Sequence, residues 1–566
     1  MTAGHTSSSD LRLEGKPSLA KSANIWLAAA ILVSLTIQAG LVVLQPVNWD
    51  EFRFLADVHA YRRGELTAWL QTLHVQLFFW LPSLPLSEVD QVIVARVAVF
   101  LLELGTVFLI HRCARRFMEP TPALVAVLCY VAGSYVIRHG ASFRFDPLAI
   151  FLLMASLALA LERKRSRLAA AGVGAMTALA GLVTMKAIFF APTIAIAAVC
   201  RPECTEDWRG SIRRLATIAV AGLLTFGLVA WLHASSLATE TGAGPEMVAH
   251  GFRKTILEAG LVPRLDVLVR SLVSDPFVWT IILVGLGYAL GDWRAGRQPR
   301  ESLLILIGLA LPLLSLLFYR NAFPYYYAMM LAPASILAGY AAMRMGRLRS
   351  GMALGIIFGT MSLHHGLNAL SPILAVQRAH VEAVHEIFPE PVPYIDRASM
   401  IGSFPKKGFF MSSWGMENYL AAGRPVIRDV LVREAPLFVL VNSPVLKEAL
   451  GLAPSAEQRL LDEDRAELRR NYIPHWGALW VAGKVLDATP AERRFELLIP
   501  GLYTFEGHRP VVLDGRLISP GTAVRLGRGM HRIGSPTGAQ RVRLRIGRRL
   551  AAPAQAAQSL PLFGHL

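Results

Sequence analysis

The chain has 566 residues, 54% of them hydrophobic and 17% charged, with a mean hydropathy of +0.44. This composition excludes a string of ordinary soluble domains and predicts a polytopic membrane protein. The net charge of +17 would suit nucleic-acid binding, but the arginines cluster in short segments between apolar runs, as they do in cytoplasmic membrane loops. The four cysteines lie within or beside apolar runs, so neither a disulfide framework nor a zinc site is indicated.

The N-terminal region predicts a cytoplasmic tail followed by a membrane anchor. Residues 1–22 are polar and basic, and residues 23–44 are apolar over the length that spans a bilayer. Further apolar runs bring the predicted number of transmembrane helices in residues 23–370 to about eleven. These runs are Val92–Ile110, Pro122–Val136, Pro147–Leu161, Leu168–Met185, Ala187–Val199, Leu215–Leu232, Pro276–Leu290, Ser302–Phe318, Pro324–Met343 and Gly351–Leu370.

Basic residues mark the cytoplasmic side of these spans. They occupy every second connection, so the positive-inside rule places the N-terminus in the cytoplasm and both Asp50 and the chain after Leu370 outside it. Residues 168–199 could form one overlong helix or two short ones. Because a hairpin turning near Lys186 keeps the flanking basic loops on one side, we predict two helices.

Two long external connections, residues 46–91 and 235–275, contain amphipathic stretches typical of helices that lie on a membrane surface and could roof a cavity. One such stretch surrounds Met247–Leu272. After Leu370 the sequence turns polar and predicts an extracytoplasmic α/β domain at 371–490, a small β unit at 491–550 and a flexible tail at 551–566. The acidic triplet Asp462–Asp464 is predicted to be a solvated helix face.

An acidic pair, Asp50 and Glu51, directly follows the first span. The pair could simply begin a helix, because carboxylates are favoured in a first helical turn by the backbone dipole. Alternatively, one carboxylate sits at the mouth of a membrane cavity and accepts a proton from a reacting hydroxyl. Charged groups at a membrane edge are costly, which favours the functional interpretation.

Further charged residues fall on the same predicted face. Arg144 and Asp146 stand at the outer start of the fourth apolar run, where they could form a local ion pair or contact an anionic ligand. Lys186 lies between two apolar runs and could snorkel to the surface or bind a phosphate as a point charge.

Three other residues are weaker candidates. His74 could be a surface histidine without a role. Tyr325 belongs to a tyrosine run that is most simply an aromatic belt, and Arg320 just before it could contact an anion. The sequence contains no phosphate-binding loop, nucleophile-elbow serine or His-Glu-x-x-His zinc motif.

In their order and sidedness these features resemble GT-C glycosyltransferases, especially the bacterial relatives of protein O-mannosyltransferases, the aminoarabinose transferases and the rhizobial lipopolysaccharide-core sugar transferases. The resemblance implies a GT-C-like membrane domain over residues 23–370. It rests on the acidic pair after the first span, the interfacial helices of the first loop, Arg144-x-Asp146, the Gly-Leu-x-x-x-Lys segment at 181–186 and the Phe-Pro-Tyr rim at 323–325.

The resemblance implies transfer of a sugar from a polyprenyl-phosphate donor to a hydroxyl of a lipid, polysaccharide or protein, with inversion, on the outer face of the bacterial inner membrane. Asp50 would be the general base, and Glu51 and Asp146 would orient the acceptor or the sugar. The cations would stabilise the phosphate leaving group. The residues that would contact substrate are Arg144, Asp146, Lys186, Arg320, His74 and Tyr325.

No cofactor or metal is expected, because a lipid-linked donor carries its own activated phosphate. Two other classes of function stay open on the sequence. A transporter or flippase of a lipid-linked sugar would also use membrane charges, but near the midplane and often in repeated halves. An inactive relative would bind glycans through its external domain alone.

Overall fold

The computed structural model describes residues 16–162, 166–200, 208–238, 260–345, 348–454, 458–554, 556–557 and 561–564. The chain divides into two compact units. The first contains Met1–Gln45, Arg63–Phe79 and Ile93–Leu370, and the second contains Pro46–Arg62, Trp80–Val92 and Ser371–Leu566.

Apolar helices build the first unit. In the described chain, six helices are long and apolar enough to cross a membrane, and four shorter apolar segments accompany them. The predicted helical membrane domain is therefore confirmed. Its helices are Lys16–Leu44, Val75–Phe78, Glu88–Ala114 (from Ile93), Pro120–Val131, Ser134–His139, Phe145–Ala160, Arg167–Val183, Ala191–Val199, Trp208–Ser235, Leu265–Ser274, Pro276–Arg294, Arg300–Ala310, Pro324–Met345 and Leu348–Ala369, with 3₁₀ segments Met185–Phe190 and Leu311–Leu317.

Glycines allow two helix pairs of this unit to approach backbone to backbone. A Cβ atom on Gly174 would lie 2.1 Å from the carbonyl oxygen of Ile218, where helices Arg167–Val183 and Trp208–Ser235 meet. A Cβ atom on Gly285 would lie 2.0 Å from the carbonyl oxygen of Leu337. Close contact through small residues is the usual basis of helix association in membranes, where van der Waals packing replaces the hydrophobic effect.

The predicted interruption of residues 168–199 is confirmed. Helix Arg167–Val183 ends at Thr184, whose backbone is extended, and a 3₁₀ segment, Met185–Phe190, separates it from helix Ala191–Val199. Lys186 therefore lies in a break between helices, where its backbone N–H faces the Thr184 hydroxyl at 3.5 Å.

The second unit combines helices with two β-sheets. Its helices are Trp49–Arg62, Ile373–Ile387, Ser413–Ala422, Ile427–Glu434, Pro444–Ala449 and Asp462–Asn471, with the 3₁₀ segment Leu81–Ser83. Its strands are β1 (Tyr394–Ile395), β2 (Phe438–Leu440), β3 (Tyr472–Trp476), β4 (Leu479–Ala488), β5 (Arg493–Leu497), β6 (Gly501–Glu506), β7 (Val511–Leu513), β8 (Arg516–Ile518), β9 (Ala523–Leu526), β10 (Gly529–Gly534) and β11 (Gln540–Ile546).

The larger sheet has the order β1-β2-β4-β11-β6-β9, with β3 also paired to β4, and the smaller sheet has the order β5-β10-β7-β8. Only β1 and β2 pair in parallel among the described strands. Strand β11 shows the alternation expected of a half-buried strand, because Val542, Leu544 and Ile546 are buried while Arg541 and Arg543 are exposed.

Three features of this unit differ from the domain limits drawn on the sequence. Residues 46–62 and 80–91, predicted as part of an external loop of the membrane domain, belong to the second unit, as does Val92. The larger sheet crosses residue 490, because β4 pairs with β11. Residues 551–566 are predicted from the sequence to be a flexible tail, but Leu562 in this segment is buried, and its carbonyl oxygen accepts a hydrogen bond from Gln377 at 2.8 Å.

The prediction that Asp462–Asp464 is a solvated face is wrong for Asp464. This carboxylate is fully buried and accepts hydrogen bonds from the hydroxyl of Tyr419 and from the backbone N–H groups of Val426 and Ile427. It satisfies free N–H groups at the start of helix Ile427–Glu434, a role that only the tertiary fold creates. Asp462 is exposed, as predicted.

Half of the stretch Met247–Leu272, predicted to lie on the membrane surface, falls on residues 247–259, which lie outside the described residues. Its described end contains helix Leu265–Ser274. The other long connection contains helices Trp49–Arg62 and Val75–Phe78.

Candidate functional site

Two helix starts and one break between helices in the first unit supply a compact cluster of predicted site residues. Arg144 is the residue before helix Phe145–Ala160, and Asp146 lies in its first turn, where the backbone dipole favours a carboxylate. Lys186 lies in the 3₁₀ break described above. Tyr325 follows Pro324, which begins the next contributing helix at the position that tolerates proline best.

Asp146 lies between the two cations of this cluster. Its Oδ1 is 2.6 Å from Lys186 Nζ, and its Oδ2 is 3.1 Å from Arg144 Nε. The side chains of Asp146, Arg144 and Lys186 are 2%, 4% and 6% exposed. Burial weakens screening by water, so charges held here act more strongly on a ligand than charges at a surface.

The ring of Tyr325 forms a platform for both cations. Arg144 Cζ lies 3.6 Å and Lys186 Nζ lies 4.5 Å from the ring centroid. Phe323 stacks on Tyr325 at 5.8 Å, and Arg264 in turn lies over Phe323 at 4.2 Å. Cation–π contacts of this kind fix the cations in place without neutralising them. The ring of Tyr325 therefore contacts both cations of the cluster.

Together Arg144, Asp146 and Lys186 carry one more positive than negative charge. The cluster is thus suited to an anionic group, because the planar guanidinium and the ammonium are the two cationic side-chain groups that commonly bind phosphate in proteins.

His74 and Arg320 also belong to the first unit. His74 is buried, and its ring packs edge-on against the ring of Phe143, with 6.4 Å between the ring centroids. Phe143 directly precedes Arg144 in the sequence. The alternative of a plain surface histidine is therefore wrong. Arg320 is half-buried. In the chain it lies in the connection between the 3₁₀ segment that ends at Leu317 and helix Pro324–Met345.

Asp50 and Glu51 lie in the second unit, at the start of helix Trp49–Arg62. Asn48 Oδ1 accepts a hydrogen bond from the backbone N–H of Asp50 at 2.9 Å. In return, Glu51 Oε2 accepts a hydrogen bond from the backbone N–H of Asn48 at 2.8 Å. This reciprocal arrangement is a capping box. Glu51 is buried and has this local structural role, whereas Asp50 is half-buried at the second helical position.

Sequence reasoning missed a residue next to Asp50. The Arg397 guanidinium carbon lies 3.4 Å from the centroid of the Trp49 ring, so the two planar groups are stacked. Burial lowers the pKa of Arg397 to about 10, and the negative charge of Asp50 acts in the opposite direction. Because 348 residues separate Arg397 from Trp49 in the chain, no local sequence signal indicated this contact.

No cluster of three or more His, Cys, Asp or Glu side chains arranged to hold a metal ion occurs among the residues that the structure describes.

The chain matches a protein-family model over part of its length and resembles a solved membrane protein over most of it. Residues 65–231 match a family model described as dolichyl-phosphate-mannose-protein mannosyltransferase. The comparison with curated proteins found no match. The chain is similar to ArnT from Cupriavidus metallidurans bound to undecaprenyl phosphate, with 16% identity, a TM-score of 0.53 and coverage of 77% of this chain and 96% of that chain.

The apo form of the same ArnT gives 15% identity and a TM-score of 0.50, covering 76% of this chain and 95% of that chain. At these identities the likeness concerns the fold, and it confirms the predicted GT-C-like architecture of a helical membrane domain followed by a sheet-containing domain.

Proposed function

We propose that this protein is an integral membrane glycosyltransferase that moves a sugar from a polyprenyl-phosphate donor to a hydroxyl group of an acceptor. The observation that carries the proposal is the buried cluster of Arg144, Asp146 and Lys186 on the Tyr325 ring, within a fold shared with ArnT. The ArnT structure contains undecaprenyl phosphate. A buried, net positive cluster at helix ends in a membrane domain fits the phosphate of such a lipid.

In this proposal the donor binds to the first unit. Lys186 and Arg144 stabilise the negative charge that develops on the phosphate as the bond between the sugar and the phosphate breaks, and Arg320 adds a further positive charge. Asp146 holds both cations in position. His74 and Tyr325 complete the binding surface for the donor head group. The apolar helices bind the prenyl chain.

Asp50 of the second unit is the proposed general base. It takes the proton from the acceptor hydroxyl as that oxygen attacks the anomeric carbon, and the phosphate leaves with the bonding electron pair, so the anomeric centre is inverted. Glu51 is assigned a structural role instead, because its carboxylate accepts the hydrogen bond from the Asn48 backbone N–H that caps the helix. The proton transfer is therefore assigned to Asp50. No metal or cofactor enters the proposed reaction.

The proposal places the protein in the bacterial inner membrane, with its N-terminus in the cytoplasm. The base and the donor cations act on the extracytoplasmic side, as the positive-inside distribution of arginines indicates. The acceptor is a lipid, polysaccharide or protein on that side.

An Asp50→Asn variant tests the proposal. The change keeps the size and polarity of the side chain but removes the proton acceptor. We expect the variant to reach the membrane folded, judged by its size-exclusion profile in detergent, and to fail to restore the glycans or glycolipids missing from a deletion strain, judged by mass spectrometry of the cell envelope.

Asp487→Asn is the matched control, because Asp487 is exposed on β4 of the same unit. This variant should restore the wild-type products. If the Asp50→Asn variant restored them equally well, Asp50 would not be the base and the proposed mechanism would be wrong.

A further inference from the structure

Arg397 presents a fixed guanidinium whose terminal nitrogens form no hydrogen bond with any residue that the structure describes. Its plane is stacked on Trp49 at 3.4 Å, and its Nε donates to the carbonyl oxygen of Met411 at 3.1 Å. In the part of the chain that the structure describes, neither terminal nitrogen of this half-buried side chain meets a hydrogen-bond acceptor, and the group forms no ion pair. A guanidinium has five N–H donors, so four remain for a ligand.

A buried polar network fixes the backbone that carries Arg397. Asn442 Oδ1 accepts the Arg397 backbone N–H at 3.0 Å, and Asn442 Nδ2 donates to Asp396 at 2.9 Å. The fully buried Asp396 carboxylate also accepts the backbone N–H groups of Ser399 and Met400, each at 2.8 Å. Buried networks of this kind are rigid when every member is satisfied, so the guanidinium is held in place before a ligand arrives.

Two further cations contact the short segment that accepts the Arg397 hydrogen bond. Arg53 lies over Phe410 at 5.6 Å and pairs with Asp57 at 3.1 Å. Lys406 donates to the carbonyl oxygen of Phe409 at 2.8 Å. These cations contact the segment 409–411, which also receives the Arg397 hydrogen bond, so a single short segment is flanked by three positive groups.

We infer that Arg397, on its Trp49 platform, binds a phosphate or carboxylate group of the acceptor, and that the acceptor is therefore an anionic glycan or glycolipid. The inference rests on the proposed function, since it takes Asp50, the residue after Trp49, as the base that receives the acceptor. Two terminal nitrogens in one plane match the two oxygens of such a group, which gives geometric selectivity as well as attraction.

A purely structural stacking contact would predict a different outcome. Loss of Arg397 would then lower stability without changing which ligands the protein prefers. Ligand preference is therefore the measurement that separates the two roles.

The test measures binding of small soluble probes to the full-length protein in detergent by equilibrium dialysis. The probes are methyl α-D-glucoside, its 6-phosphate, methyl α-D-glucuronide and inorganic phosphate. We expect the wild type to bind at least one of the two anionic glycosides about tenfold more tightly than the neutral glycoside, the effect of one hydrogen-bonded charge pair. Inorganic phosphate should bind more weakly than the preferred glycoside.

Arg397→Gln should abolish the preference, and Arg397→Lys, which keeps the charge but loses the planar fork, should reduce it. Arg433→Gln is the matched control, since Arg433 is 77% exposed on helix Ile427–Glu434 and should leave the preference intact. A folded Arg397→Lys variant keeps the test informative if the glutamine variant does not fold.

Equal binding of neutral and anionic glycosides by the wild type would overturn the inference, as would a preference that survives in both Arg397 variants. Inorganic phosphate binding as tightly as the preferred glycoside would indicate a site for free anions and would also overturn it. Because binding needs no transfer, an inactive Asp50→Asn variant combined with an unchanged preference in the Arg397 variants rejects this inference alone. A fully active Asp50→Asn variant rejects the proposed base instead.

Discussion

Lys186 Nζ lies 2.6 Å from Asp146 Oδ1, although 40 residues separate the two in the chain. The pair joins the break after helix Arg167–Val183 to the first turn of helix Phe145–Ala160. Breaking a buried ion pair by removing one partner leaves an uncompensated charge, which usually costs about 3–5 kcal/mol. This contact is therefore both a structural element and part of the proposed donor site.

The first prediction concerns this pair. Asp146→Asn should lower the free energy of unfolding by about 3–5 kcal/mol, because it removes the carboxylate between two buried cations. The double variant Asp146→Asn with Lys186→Met removes both charges and should regain part of the lost stability while staying inactive. Thermal unfolding in detergent measures stability, and envelope glycan analysis measures transfer.

If the double variant recovered transfer together with stability, the lysine would have only a structural role. Lys447→Met is the control, because that lysine lies on a short helix of the second unit and should leave both measurements unchanged.

The second prediction separates Glu51 from Asp50. Glu51→Gln keeps an oxygen that accepts the Asn48 backbone N–H, so the variant should remain stable and active. Glu51→Ala leaves that donor without its partner and should cost about 1 kcal/mol, the usual value of a helix cap. Thermal unfolding and glycan analysis of both variants provide the check. Loss of transfer in a stable Glu51→Gln protein would show that the carboxylate itself takes part in the reaction.

The third prediction concerns the buried Asp464. Replacement by alanine removes the acceptor for Tyr419, Val426 and Ile427 and should lower the free energy of unfolding by about 1–3 kcal/mol. Asp462→Ala, at an 84% exposed side chain in the same triplet, should change stability by less than about 0.5 kcal/mol. Melting temperatures of the two proteins test the difference. Equal melting temperatures would contradict the capping role.

The fourth prediction is a pH dependence in the second unit. The hydrogen bond between His385 and Glu88, 3.0 Å long, raises the pKa of His385 above its ordinary value, and burial opposes this only in part. The stabilisation is therefore fully present below the unfolded pKa of about 6.5 and is lost as the pH rises through the raised folded value.

His385→Gln should accordingly lower the melting temperature more at about pH 5.5 than at about pH 8.5. The exposed His508, changed to glutamine, is the control and should show no such difference. A decrease in melting temperature of the same size at both pH values would mean that the charge of His385 contributes nothing.

The sequence by itself determined the membrane class and the GT-C-like fold, and it supplied the candidate residues. Long apolar runs and arginine-rich loops are local in the chain, so their physical meaning survives without a structure. The same holds for Arg144 and Asp146, which are two residues apart, and for the interruption at Lys186. Short motifs in a fixed order were enough to predict the GT-C-like fold.

The tertiary structure alone decided which distant groups the charged residues contact. It paired Lys186 with Asp146, buried Asp464 beneath a helix start and placed Arg397 on Trp49. The sequence around a carboxylate in a polar stretch does not show whether that carboxylate is solvated or buried. Its role depends on which hydrogen-bond donors from distant parts of the chain lie next to it. Burial and long-range pairing are properties of the folded chain, and residues that are neighbours in sequence, such as the exposed Asp462 and the buried Asp464, differ in both.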